Sequence, residues 1–208
     1  MKEVSVSFLK DGNYDEYINI LNNTNCDYIH FDVMDGKFVN NKNLSIEEFL
    51  SLLKLSRKKN DIHLMVKEPS LYIDSIASYD IEYITIHYEI NDMEKMVKKI
   101  KDLGIKVGIA VGPDTSIEKI YDYLDKIDLV LVMGVYPGRS GQEFIMSTFD
   151  KIKDLRKEID SRGLSTKISI DGGVCDRVFP YIKDCDIIVS ASYILDNLSN
   201  IEKIKKLS

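Results

Sequence analysis

The sequence predicts an α/β fold, a parallel eight-stranded closed (β/α)8 (TIM) barrel, on three observations. Short β-rich apolar runs recur at intervals of roughly 20 to 30 residues. Longer amphipathic stretches lie between them. No dinucleotide-type G-x-G-x-x-G follows the first run, which favours a closed barrel over a doubly wound sheet.

The first strand is expected at residues 4–8 and the second at 28–33, inside Tyr28-Ile29-His30-Phe31-Asp32-Val33-Met34-Asp35-Gly36. Residues 46–55 follow as a helix, with apolar side chains at three- and four-residue spacing to cover a sheet. The third strand is placed at 62–66 and the fourth at 83–86. A second clear helix spans 93–103 and is stopped by Gly104. The remaining strands are expected at 106–110, 129–133, 167–170 and 187–190. The four prolines stand singly at element boundaries, and no linker or low-complexity block interrupts the chain.

With 208 residues, 44% hydrophobic and 30% charged, the chain reads as one globular domain over residues 1–208. A net charge of −6 argues against nucleic acid and anionic membrane as partners. The basic stretches Arg57-Lys58-Lys59 and 203–206 sit at expected helix ends, where cations offset exposed carbonyls. Cys26, Cys175 and Cys185 are odd in number and widely spaced, so neither a disulfide framework nor a zinc ribbon is expected. The opening Met1-Lys2-Glu3-Val4-Ser5-Val6 lacks a signal-peptide pattern, and no segment has the roughly 18 apolar residues of a membrane span. A cytoplasmic location is the expectation.

In a (β/α)8 barrel the reactive groups lie at the C-terminal ends of the strands. His30 and Asp32 are two apart on the second strand, so alternation points both to one face. His63 comes late in the third strand and Asp171 ends the seventh. Two imidazoles and two carboxylates converging at one mouth suit a single divalent metal ion, zinc, iron, manganese or cobalt. The glycine-containing segments Gly138-Arg139-Ser140-Gly141-Gln142, Gly172-Gly173 and Ala191-Ser192 follow the sixth, seventh and eighth strands. Backbone amides in such loops make an anion site, so a phosphorylated substrate is expected.

At these residues the sequence resembles the ribulose-phosphate 3-epimerase family. The matching blocks are HFDVMDGKFV (30–39), HLM (63–65), ITIH (84–87), LVLVM (129–133), PG..GQ.FI (137–145) and DGG (171–173), in the family's order. The resemblance implies that His30, Asp32, His63 and Asp171 hold the metal, and that Asp32 and Asp171 also serve as acid and base on opposite faces of the substrate. It assigns substrate contacts to Ser7 and His63, and to Met34, Met65 and Met133 around the reacting carbons. It places the phosphate at the loops containing Gly138, Gly141, Gln142, Gly172, Gly173, Ala191 and Ser192. The implied reaction inverts C3 of D-ribulose 5-phosphate to give D-xylulose 5-phosphate. A homo-oligomer is a further implication of the family.

The sequence departs from the family at the rim. Lys10-Asp11-Gly12-Asn13 replaces Ser-Ala-Asp-Phe, Asn40 replaces a proline, and Ala191 replaces a glycine. Arg139 stands where the family has an aromatic residue, either to grip an anion or to point into solvent. These changes keep open the same chemistry on a hexulose such as D-allulose 6-phosphate, and a barrel that binds phosphosugar without catalysis. Phosphosugar decarboxylases and aldolases would need a lysine at the mouth, and no expected strand end offers one. His87 is open between a bond to a neighbouring site residue, contact with substrate, and a structural role.

Overall fold

In the computed structural model, which describes every residue except Asp11, Ser140 and Ser208, the strands close into a barrel in the order β1 to β8. They are β1 (Glu3–Ser7), β2 (Tyr28–Met34), β3 (Lys59–Met65), β4 (Ile81–His87), β5 (Lys106–Val111), β6 (Leu129–Met133), β7 (Lys167–Asp171) and β8 (Ile187–Ser190). Every neighbouring pair is parallel, including the closing pair β1 and β8.

The helices on the outside are α1 (Tyr14–Leu21), α2 (Ile46–Leu55), α3 (Pro69–Ile76), α4 (Met93–Asp102), α5 (Thr148–Ser161), α6 (Ser192–Leu195) and α7 (Asn200–Lys205). Helix α2 has the expected bounds because its first turn is closed locally. The Ser45 hydroxyl accepts from the Glu48 N–H, and the Glu48 carboxylate accepts from the Ser45 N–H. Helix α4 ends at Asp102, and Gly104 follows with φ of 74°, the left-handed stop the sequence predicts. The β5–β6 crossover carries a 3-10 helix, Ile117–Tyr123, whose buried Ile117 and Ile120 recur at the three-residue period of that helix. Among the described residues, no helix is long and apolar enough to cross a membrane.

Alternation along the strands separates two interiors. On β2, Ile29, Phe31 and Val33 join the large cluster with Ile18 and Leu21 of α1 and Phe49, Leu52 and Leu53 of α2. Burying each such side chain contributes about 1.5–3 kcal/mol, which seats the helices on the sheet. The alternate residues Tyr28, His30, Asp32 and Met34 face the barrel axis. Tyr28, Tyr83, Leu129 and Ile187 plug its lower end, with the two tyrosine rings edge to face at 5.8 Å. Higher up, β5, β6 and β8 form an apolar wall from Ala110, Leu131, Met133 and Val189. The opposite wall is polar and buried: Ser5, Ser7, His30, Asp32, Asp61, His63, Thr85 and His87. Polarity is thus concentrated on β1 to β4, with Ser169 and Asp171 of β7 and Ser190 of β8 adding to it.

The strand bounds differ from expectation where polar residues begin or end a strand. β3 starts at Lys59 rather than residue 62, so Asn60 and Asp61 are strand residues, both buried. The side-chain amide of Asn60 donates to the Asp80 carbonyl at 2.8 Å, and Asp61 is paired within the barrel. Apolar periodicity alone does not register such a start. β4 likewise extends to His87.

Candidate metal centre and active site

Asp32 is the hub of the site. Its Oδ1 lies 2.9 Å from His63 Nδ1 and 3.2 Å from His30 Nε2, and its Oδ2 accepts a hydrogen bond from the Ser7 hydroxyl at 2.9 Å. The register explains the convergence: Asp32 is paired with His63 across β2 and β3, and Ser7 with His30 across β1 and β2. Asp171 approaches from β7, with Oδ2 3.8 Å from His63 Nδ1. One ligand atom from each of His30, Asp32, His63 and Asp171 lies within 4.8 Å of all the others. Two ligand bonds of about 2.2 Å placed opposite each other would span about 4.4 Å. The four sequence-predicted ligands are therefore brought together, and their donor set fits a divalent transition ion.

Electrostatics separates the two carboxylates. Burial acts to raise the Asp32 carboxyl, but His30 and His63 beside it hold it well below the usual carboxylate range. Asp171 is pushed up to about 6, first by burial and then by the charge of Asp32. His30 is drawn down by burial, yet the Asp32 and Asp61 carboxylates on its two sides lift it well above the ordinary imidazole value. The cluster thus holds one carboxylate ionised and one with high proton affinity.

Behind the ligands stand residues the sequence reading missed. His30 Nδ1 lies 2.8 Å from Asp61 Oδ2, which also accepts from the Ser5 hydroxyl at 2.8 Å. Asp61 precedes His63 by two on the same strand, so alternation could have found it. Asn43 pins the end of β2: its amide donates to the Asp32 carbonyl at 2.7 Å, and its oxygen accepts from the Met34 N–H at 2.9 Å. In the following loop Asp35 accepts from the backbone N–H groups of Lys37 and Phe38 and from that of Lys67, two residues beyond β3. The HFDVMDGKFV block therefore carries ligands, a pocket methionine and the loop that holds them.

Above the four ligands opens a cavity of about 720 Å³. Asp32 and Asp171 line it, as do Ser7, Met34, Met65, Met133, Gly138, Gly141, Gln142, Gly172, Gly173, Ala191 and Ser192. His30 and His63 are fully buried and lie outside that lining. Met34 and Met65 pack with Val39, and Met133 with the apolar wall. The Gln142 amide donates to the carbonyls of Tyr136 and Arg139 and so braces its own loop. Arg139 is exposed at the cavity rim, and Arg177 and Tyr181 also line the cavity. Asp11 and Ser140, both in the rebuilt rim segments, lie outside the described residues.

Gly172 and Gly173 are required where they stand. Their φ angles are 97° and 68°. A Cβ on Gly172 would lie 2.3 Å from Val135 Cγ2, and one on Gly173 2.8 Å from the Phe144 backbone. The Gly134 N–H donates to the Asp171 carbonyl at 2.7 Å, tying the loop after β6 to the strand end that carries the carboxylate.

Comparison with known proteins agrees with this geometry. The chain matches the ribulose-phosphate 3 epimerase family over residues 3–195. It is 35% identical over 185 residues to a ribulose-phosphate 3-epimerase of Chlamydia pneumoniae, covering 86% of this chain and 81% of that one. It is 36% identical over 162 residues to a ribulose-phosphate 3-epimerase of Synechocystis, covering 76% and 70%. Among solved structures, phosphoribosyl anthranilate isomerase from Thermococcus kodakaraensis superposes over the whole of both chains with a TM-score of 0.66 and 14% identity, a likeness of fold alone. The matched span runs from β1 through α6 and contains all four clustered ligands, and the chain accordingly belongs to the ribulose-phosphate 3-epimerase family.

Proposed function

We propose that this chain interconverts D-ribulose 5-phosphate and D-xylulose 5-phosphate by moving a proton at C3, with one divalent metal ion held by His30, Asp32, His63 and Asp171. Family membership supports epimerase activity on ribulose 5-phosphate. The observation that carries the mechanism is the pair Asp32 and Asp171, two carboxylates lining one cavity with proton affinities driven apart. Inversion at carbon needs one group to remove the proton from one face and another to deliver a proton to the opposite face. In the metal-free cluster Asp32 is held ionised and Asp171 has the raised proton affinity, an order that favours Asp32 as the base and Asp171 as the acid. In the reverse direction they exchange roles.

Zinc, iron, manganese or cobalt would suit the two imidazoles and two carboxylates, and would supply positive charge opposite the negative charge that builds on the substrate's oxygens. The Ser7 hydroxyl on Asp32 Oδ2 orients the carboxylate. Met34, Met65 and Met133 give the cavity an apolar lining, so the enediolate meets a positioned acid rather than random water. Gly138, Gly141, Gln142, Gly172, Gly173, Ala191 and Ser192 line the outer cavity, and backbone amides of such loops would hold the phosphate there.

The test is proton NMR of ribulose 5-phosphate in deuterated buffer with metal-loaded protein. Loss of the C3 proton signal with growth of xylulose 5-phosphate is expected, and Asp171→Asn is expected to abolish the formation of xylulose 5-phosphate. An unchanged spectrum with each of the four metals refutes the reading. The cavity's altered rim, where Arg139, Arg177 and Tyr181 are among the lining residues, favours one second reading, a hexulose 6-phosphate as substrate. A kcat/KM far higher for D-allulose 6-phosphate than for the pentulose would establish it.

A further inference from the structure

We propose that His87 and Glu89 are positioning residues for His63, holding its ring with the proton on Nε2 so that Nδ1 is the bare nitrogen turned toward the metal centre. The inference rests on the reading of His63 as a metal ligand. It begins from two ring nitrogens facing each other, His63 Nε2 and His87 Nε2, 2.9 Å apart. A hydrogen bond between them contains one proton, so one ring donates and the other accepts.

The far end of the chain decides which. His87 Nδ1 lies 3.1 Å from Glu89 Oε2. Glu89 is itself fixed, because its Oε1 accepts from the Gly112 N–H at 2.9 Å and from the Thr115 hydroxyl. A carboxylate only accepts, so His87 Nδ1 carries its proton toward Glu89. The neutral His87 ring then has a bare Nε2, which accepts from His63 Nε2–H. In the metal-loaded protein that leaves His63 Nδ1, 2.9 Å from Asp32 Oδ1 and 3.8 Å from Asp171 Oδ2, as the nitrogen that faces the cation, which takes the place of a proton shared with Asp32.

Packing holds the chain in this order. The His87 ring stacks on His63 at 5.0 Å between centroids and lies 4.6 Å from the Phe38 ring. The loop that fixes Glu89 is in turn held from α5, whose Lys151 ammonium donates to the carbonyls of Gly112, Pro113 and Thr115. His30 achieves the same end directly, with Asp61 2.8 Å behind it. Each clustered histidine thus has a carboxylate behind it, one immediate and one relayed through a second imidazole. A carboxylate behind a ligating histidine sets its tautomer and strengthens its basicity.

Glu89→Gln tests the polarity of the chain with almost no change of shape. If the amide oxygen keeps the Gly112 and Thr115 bonds, its NH2 faces His87 Nδ1, and every proton reverses until His63 Nδ1 is the protonated nitrogen. If the amide turns over, its NH2 opposes the Gly112 N–H. Zinc affinity is measured by chelator competition, and the His63 tautomer by 15N-imidazole NMR of the metal-free and zinc-loaded full-length protein. Wild type is expected to bind one zinc ion and, when zinc-loaded, to show the His63 proton on Nε2. Glu89→Gln is expected to lose about 10- to 100-fold in zinc affinity and to shift the His63 tautomer.

A second pair of variants reports even if Glu89→Gln folds poorly. His87→Phe keeps the stacked ring but removes the acceptor, and is expected to weaken zinc binding similarly. His87→Gln restores an acceptor near the position of Nε2, and is expected to recover most of the affinity. Wild-type zinc affinity and an unchanged His63 spectrum in both Glu89→Gln and His87→Phe overturn the relay. Failure of the wild type to bind zinc overturns it by a different route, through the loss of the metal reading on which it stands.

Discussion

Replacing Asp171 by asparagine separates the charge of this carboxyl from its shape, and the structure supplies the magnitude. In the folded protein Asp171 is raised from the ordinary 3.8 to about 6, chiefly by burial and then by Asp32. A folded-state value above the unfolded one means that the protonated form favours the folded protein. The contribution is fully present below about pH 4 and is lost as pH rises through about 6. At roughly 1.4 kcal/mol per pH unit, that gap corresponds to about 3 kcal/mol, or about two orders of magnitude in the unfolding constant. His30 and Asp32 are present in both proteins but interact with Asp171, so the pH dependence of the difference belongs to the cluster as a unit. Urea denaturation of metal-stripped wild type and Asp171→Asn from pH 4 to pH 8 is the assay. Near-equal stabilities are expected at pH 4, with the variant more stable by about 3 kcal/mol at pH 8. Saturating zinc should reverse the order at pH 8, because the ion stabilises the protein that retains all four ligands. A difference that stays flat across the pH range would refute the assignment of a raised proton affinity to Asp171, and with it the choice of Asp171 as the acid.

Three further expectations follow from the site and its supports. Ser7→Ala removes the hydroxyl donor to Asp32 Oδ2; loss of about 1–1.5 kcal/mol lowers kcat/KM roughly tenfold. The acidic limb of its pH–rate profile moves upward, and an unshifted limb would show that Ser7 does not bear on Asp32. Asp61→Asn keeps the shape behind His30 but removes the charge, so zinc affinity measured by chelator competition falls about tenfold; wild-type affinity would remove Asp61 from the metal centre. Gly173→Ala adds left-handed strain of about 1–2 kcal/mol and an overpacking cost of about 1–3 kcal/mol against the Phe144 backbone. Gly163→Ala, at φ of 63° with nothing within 4 Å of the added carbon, carries only the strain, so equal denaturation midpoints for the two variants would mean that the Gly173 loop yields freely.

Much of the site was legible because strand alternation is a local rule. His30 and Asp32 share a face whatever surrounds them, and the HFDVMDGKFV and DGG blocks place three of the four candidate ligands within a few residues of turn glycines. The same rule would have paired Asp61 with His63, but the reading began β3 at the first apolar residue and passed over the polar ones before it. Glu89 lay further out of reach. It stands beyond the end of β4, and its role appears only when Gly112, Thr115 and Lys151 arrive from elsewhere in the chain.

The sequence by itself determined the βα rhythm, the amphipathic faces of α2 and α4, the glycine stops and the strand-end positions of the four candidate ligands, since each depends on spacing along a few neighbouring residues. Tertiary structure alone decided that Asp171 meets His63 across the barrel axis, that Asp32 and Asp171 titrate apart, and that His87 stands between His63 and Glu89. Those properties come from closure of β8 onto β1, which encloses both walls of the interior. Separation in space, unlike separation in sequence, fixes Coulomb interactions, desolvation and the sharing of a proton between rings.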